Sequence, residues 1–131
     1  MIVLIIFSIL FTLISGVSKA ICDVSSINGS LDKLSSLNPF YWRKSISSVN
    51  KWKNQDPKQG EKFFGSSTFF VFLTDAWHLF DVIRDISLIV CGITTFSLCI
   101  VTGIYPWLII ISIYPIRQII FQITYSWLRK V

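Results

Sequence analysis

The side chains best suited to chemistry fall in one stretch, Thr74-Asp75-Ala76-Trp77-His78-Leu79-Phe80-Asp81-Val82-Ile83-Arg84-Asp85. At ~100° per residue on a helix, Asp75 lies about +60° from His78, Asp85 about −20° and Asp81 about −60°, so the four share one face. A carboxylate near an imidazole can hold or relay its proton, and paired Glu-x-x-His motifs ligate metals in helical bundles. One histidine in one such motif leaves Asp75 and His78 as a partial ligand set, completed only by a second copy of the chain, so no metal and no cofactor are expected. The simplest reading is structural: Asp75, Asp81 and Asp85 accept hydrogen bonds or pair with Arg84 and Arg117. Proton or ion passage along the same face is the alternative.

The surroundings of this face decide what it can be. Of 131 residues 53% are hydrophobic and 15% charged, which is too apolar for an ordinary soluble domain of that size. Residues 1–17 carry no charged side chain, and residues 86–116 carry no ionisable group other than cysteine and tyrosine. The composition therefore predicts an all-α membrane protein with about three transmembrane helices plus amphipathic helices. An aspartate at the centre of such a helix costs about 3 kcal/mol on insertion scales, so the polar face must meet protein, water or headgroups.

Four segments are expected: residues 1–18 as a transmembrane anchor or signal, 19–62 as a basic polar segment, 63–105 as a transmembrane helical pair, and 106–131 as a C-terminal re-entrant, spanning or interfacial helix. The first run has no Lys or Arg ahead of it, and Lys19 follows it, a charge order that favours a retained anchor with its amino end outside. Ser18-Lys19-Ala20 nevertheless loosely resembles a signal cleavage site. Val24, Ile27, Leu31 and Leu34 then recur at three- and four-residue steps, the pattern of an amphipathic surface helix that Asn38-Pro39 ends.

Ser66, Ser67 and Thr68 offer N-caps for a helix running to Arg84. A second apolar run, from Ile86 to Tyr105, continues it as one bent helix or turns back near Asp85, and Pro106 closes it. In the last segment Ile116, Ile119, Ile120, Ile123 and Trp127 share one face, while Gln118, Gln122, Tyr125 and Arg129 share another, which reads as an interfacial helix. Arg117 either snorkels to the interface or pairs with an aspartate of the polar face.

Most of the net charge of +5 comes from residues 19–62, where eight Lys and Arg face four Asp and Glu. A basic segment beside membrane spans predicts a cytoplasmic loop attracted to anionic headgroups, with Trp42, Arg43, Lys44, Lys51, Trp52 and Lys53 as the headgroup contacts. The lipid bilayer is thus the expected partner, alongside other membrane proteins or a second copy of the chain. Nucleic acid is not expected, because no recognition module or long basic run accompanies the charge. Three cysteines, two of them in one apolar run, read as small packing residues.

The strings Lys51-Trp52-Lys53-Asn54-Gln55-Asp56-Pro57-Lys58-Gln59-Gly60-Glu61-Lys62-Phe63, Gly65-Ser66-Ser67-Thr68 and Val71-Phe72-Leu73-Thr74-Asp75-Ala76-Trp77-His78-Leu79-Phe80 resemble a family of small bacterial membrane proteins with no assigned activity. The likeness covers roughly residues 38–80. It departs at Gln55, where the family usually has glycine, and at Glu61, where it often has proline. The resemblance implies a bacterial inner-membrane location and a loop that folds back on the cytoplasmic end of the following helix, and it carries no site residues. With no nucleophile–base constellation, phosphate loop or complete metal set, the expected function is non-enzymatic: an accessory or interaction protein of the membrane. A proton-handling or metal-dependent enzyme using Asp75, His78 and Asp81 is one alternative, and a holin-like pore former is another.

Overall fold

The computed structural model describes residues 1–27 and 37–129. Five α-helices are described: α1 (Ile2–Ser26), α2 (Pro39–Trp42), α3 (Lys44–Ser47), α4 (Ala76–Thr102) and α5 (Pro106–Leu128). Short 3-10 turns stand at Lys53–Gln55, Pro57–Gln59 and Val71–Leu73, and no strand forms among the described residues. Both α1 and α4 are long and apolar enough to cross a membrane.

Local chemistry sets the ends of the long helices. Asp75, in extended backbone, caps α4 by accepting the His78 N–H, and Gly103 ends it at φ 69°, where its N–H reaches the Cys99 carbonyl. Only glycine takes that left-handed conformation without strain. Pro106 then opens α5 from its first turn, where a missing N–H loses nothing. The short link 103–105 folds α5 back against the direction of α4.

The first helix occupies the middle of the bundle. It packs on both α4 and α5, which touch each other little. Against α4 it runs antiparallel: Ser8 donates to Thr94 at 2.9 Å, Thr12 meets the Cys91 thiol at 3.3 Å, and the Cys22 thiol reaches the Trp77 carbonyl at 3.6 Å. Against α5 it runs parallel, with Ser15 beside Arg117 and Val24 beside Leu128. The buried face of α1 is made largely of small residues, Ser8, Thr12, Ser15, Gly16, Ser18, Ala20, Cys22 and Ser25. A Cβ on Gly16 would lie 2.9 Å from the Arg117 carbonyl oxygen and 3.2 Å from Ile120, so only glycine permits this approach.

The polarity of the bundle is inverted relative to a water-soluble domain. Serines and threonines are buried between helices, whereas Ile2, Val3, Ile6, Ile89, Ile93, Phe96, Ile100, Ile119 and Ile123 are exposed. Small and hydroxylated side chains inside, with large aliphatic ones outside, is the arrangement expected of helices that meet in hydrocarbon.

Three expectations are revised. Residues 63–105 are not a helical pair: 63–75 form turns, and a single helix, α4, covers the rest through Thr102. The hydroxyls of Ser66 and Ser67 are drawn into the preceding loop and do not cap a helix, and Arg84 neutralises Asp81 and Asp85 in place, so nothing breaks the chain near Asp85. The expected surface helix does not begin at Asp23, because α1 continues through Ser26 and buries Val24; Leu31 and Leu34 lie outside the described residues. Finally, α5 lies along α1, whereas a helix resting on a bilayer surface would cross it steeply. Ile116, Ile119 and Ile123 of the expected apolar face are exposed, as are Gln118 and Gln122 of the polar one, whereas Ile120, with Arg117 and Leu128, is turned to α1.

Gly16→Val should push α5 off α1 and lower stability by about 1–3 kcal/mol, the usual effect of overpacking. Thermal unfolding of the purified chain in detergent reads this directly. An unchanged midpoint would mean that α1 and α5 do not meet at Gly16.

Candidate functional site

The polar stretch of α4 resolves into two separate clusters. Asp75 is 2% exposed and stands ahead of the helix, where the positive end of the helix dipole favours a carboxylate. Its Oδ1 accepts the His78 backbone N–H at 2.9 Å, and its Oδ2 lies 2.7 Å from His78 Nδ1. Thr74 adds its hydroxyl at 3.3 Å, and the Trp77 ring stands edge-on to the imidazole at 4.7 Å. His78 is therefore fixed through one nitrogen by a buried carboxylate, with its ring partly exposed.

One turn on, Arg84 holds both remaining aspartates. Its Nη1 is 2.6 Å from Asp81, and its Nε and Nη2 reach Asp85 Oδ1 at 2.9 and 2.7 Å. The expected pairing of Arg84 with this face is thus observed. The single four-residue face is not formed, because Asp75 is a cap rather than a helical residue. Among the described residues, no group of three or more His, Cys, Asp or Glu side chains is placed to hold a metal ion.

Arg117 does not pair with an aspartate among the described residues. Its Nε donates to Ser15 Oγ at 2.8 Å, near the middle of α5 and two residues beyond Pro115. Arg117 also lines a lateral, largely apolar cleft of about 410 Å³ between α4 and α5.

The basic segment forms a compact loop. Trp52 and Glu61 face each other in an antiparallel bridge, closed by Lys53 N–H to the Gly60 carbonyl at 3.0 Å and Lys62 N–H to the Lys51 carbonyl at 2.9 Å. Between them, Asn54 and Gln55 take φ of 48° and 64°, so Gln55 stands in a conformation that favours glycine. Glu61 accepts the Gly65 N–H at 2.9 Å, the Ser67 N–H at 3.2 Å and the Ser67 hydroxyl. The Ser67 hydroxyl and the Gly65 amide hold its carboxyl below the usual carboxylate range.

This loop docks on the start of α4. Trp42 lies 5.9 Å from Phe80, Lys44 Nζ sits 3.4 Å over the Trp77 ring, and the Asn50 amide donates to the Thr74 carbonyl at 3.3 Å and to that of Phe40. Burial, then the nearby Asp75 charge, raise the Tyr41 phenol above its ordinary value. Among the six residues expected at headgroups, Trp42 and Lys44 face α4, and Arg43 has a buried Nε without a partner. Lys53 is exposed, and Lys51 lies 5.5 Å over the half-buried Trp52.

Ser15, Gly16 and Glu61 escaped the reading of the sequence. The three- and four-residue spacing of Ser8, Thr12, Ser15 and Ser18 was a usable signal for a helix-contact stripe. Nothing local marked Glu61, whose donors come from four and six residues onward. Comparison with protein-family models, curated proteins and solved structures finds no match to this chain.

The depressed Glu61 pKa gives the loop a defined acid response. Its contribution is full above the ordinary Glu range, near 4.5, and is lost as pH falls through the lower folded value. Protection of the Gly65 and Ser67 amides, measured against the intrinsic exchange rate at each pH, should fall on acidification below that range, and Glu61→Gln should lower it already at neutral pH. Protection that stays constant through this range in the wild-type chain would remove Glu61 from this role.

Proposed function

We propose that this chain is a three-crossing membrane protein that acts by binding, as a non-enzymatic accessory or interaction component whose basic loop lies on the cytoplasmic leaflet. The observation that carries the reading is the inverted polarity: hydroxyls and small residues between the helices, large aliphatic side chains outside. By helix rise α1, α4 and α5 are about 37, 40 and 34 Å long, each exceeding a hydrocarbon core of about 30 Å. Since α5 runs beside α1, a membrane crossed by α1 is crossed by all three.

Two features support the sidedness and the retention of α1. The start of α4, the docked loop and Arg129 at the end of α5 share one end of the bundle, so the positive-inside rule acts on all of them together. The first helix supplies the surface on which α4 and α5 both pack, so a chain without it would leave two helices with little mutual contact. The ionised groups of the polar stretch are engaged with one another, which supports packing over catalysis. The bacterial inner membrane is the location that the likeness over residues 38–80 suggests.

Single cysteines placed near Lys58 and after Arg129, on a cysteine-free background, should both resist an impermeant thiol reagent in intact cells and react after lysis. Labelling of both in intact cells would reverse the orientation, and opposite results at the two positions would remove the three-crossing reading.

A second reading, proton handling, rests on one observation: a nearly inaccessible carboxylate orients a partly exposed imidazole, as in acid–base pairs. On the binding reading, His78→Ala leaves any phenotype of the protein intact at normal abundance. Loss of the phenotype with unchanged insertion and abundance would favour the proton-handling alternative.

A further inference from the structure

We propose that the cleft between α4 and α5 binds a long-chain fatty acid from the bilayer, with the carboxylate on Arg117 and the chain along Phe96; the proposal rests on the membrane reading above. The cleft, of about 410 Å³, has Leu88 and Arg117 at one end and Phe96 and Ile113 at the other, with Tyr114 and Gly92 on its walls. Its charged end points toward the basic loop. The contacts of Ser8 with Thr94 and of Thr12 with Cys91 place Ser15 level with Leu88, so Arg117 lies four residues of α1 inward from Lys19 and four residues of α4 inward from Arg84. That is about 6 Å beneath the charged belt of Lys19, Asp23, Asp81, Arg84 and Asp85.

Arg117 is held at this depth. Ser15 engages its Nε, so the group does not extend to the interface, and its two terminal nitrogens make no hydrogen bond among the described residues. A guanidinium at this depth is costly without an anion, and its planar fork suits a carboxylate. Asp81 and Asp85 of α4 are already taken by Arg84, and the cap Asp75 by His78. An acid whose head sits beneath the phosphate level, with a single apolar tail running deeper, matches both the charge and the direction of the cleft. A diacyl phospholipid fits less well, because its phosphate would lie at or above the belt, away from the guanidinium.

The test is photolabelling of the full chain in phosphatidylcholine vesicles with a diazirine-bearing long-chain fatty acid, after flotation has shown that the chain inserts. Labelling should be saturable, map to residues 88–96 and 113–117, and be displaced by oleate but not by methyl oleate or phosphatidylglycerol. Arg117→Gln should reduce it roughly tenfold and Arg117→Lys less, in line with loss of a charge-assisted hydrogen bond. Gly92→Phe places a ring in the cleft while keeping the Arg117 side chain, since a Cβ there meets nothing within 4 Å, and should also abolish labelling. An inserted chain that is unlabelled, equal displacement by methyl oleate or phosphatidylglycerol, or indifference to both Arg117→Gln and Gly92→Phe would overturn the fatty-acid site alone. A chain that fails to float with vesicles would overturn the membrane reading and the site with it.

Discussion

Everything in the bundle depends on how closely α1 can be approached. At Gly16 the backbone of α5 lies where a methyl group would collide, and along α4 the contacts are made through Ser8, Thr12 and Cys22. In hydrocarbon, lipid tails compete on equal terms with leucine for an apolar surface, so helices gain by fitting more tightly to one another than to lipid. Interhelical hydroxyl bonds add only about 0.6 kcal/mol each on average. The bulk of the association must then come from the shape of the α1 face. This explains why α4 and α5, consecutive in sequence and joined by a short link, nevertheless meet through α1 more than through each other.

That principle also marks what the sequence revealed. Long apolar runs announced α1 and α4, because length in hydrocarbon acts locally; Pro106 opens α5 but does not close α4, which Gly103 ends three residues earlier. The start of α4 was misplaced because three hydroxyl residues in a row look like caps. A hydroxyl bonds whatever polar group is nearest in space: Ser66 accepts the Lys62 N–H, and Ser67 donates to the Glu61 carboxylate across the loop. Asp75, the true cap, was read instead as a member of a helical face. The angular arithmetic that joined it to His78 has the right spacing and the wrong backbone, since its φ and ψ are extended.

The last helix shows a different limit. A helical wheel divides α5 into an apolar and a polar side, which suits a helix between lipid and water. This helix has three environments: aliphatic residues outward, a side turned to α1 that includes Arg117 and Leu128, and a cleft wall with Ile113 and Tyr114. Hydropathy cannot separate an arginine that faces a protein neighbour from one that faces solvent. The partner of Arg117 is a serine in another helix, 102 positions away, and no pattern local to either residue foretells the pair.

The loop end of the bundle carries an electrostatic logic of its own. Because α1 and α5 are parallel and α4 opposes them, two helix C-termini and one N-terminus meet there. Each C-terminus presents roughly half a negative charge from its unpaired carbonyls, and the N-terminus presents the opposite. Asp75 answers the N-terminus of α4, and Arg129, at the C-cap of α5, answers the end of that helix while its Nη1 donates to the Tyr125 hydroxyl at 3.0 Å. The excess of lysines in the docked loop therefore complements the protein as well as any headgroup. Cohesion of the bundle and the bilayer orientation proposed for it would draw on the same charges, so reversing them would disturb the fold's own end before it altered any partner.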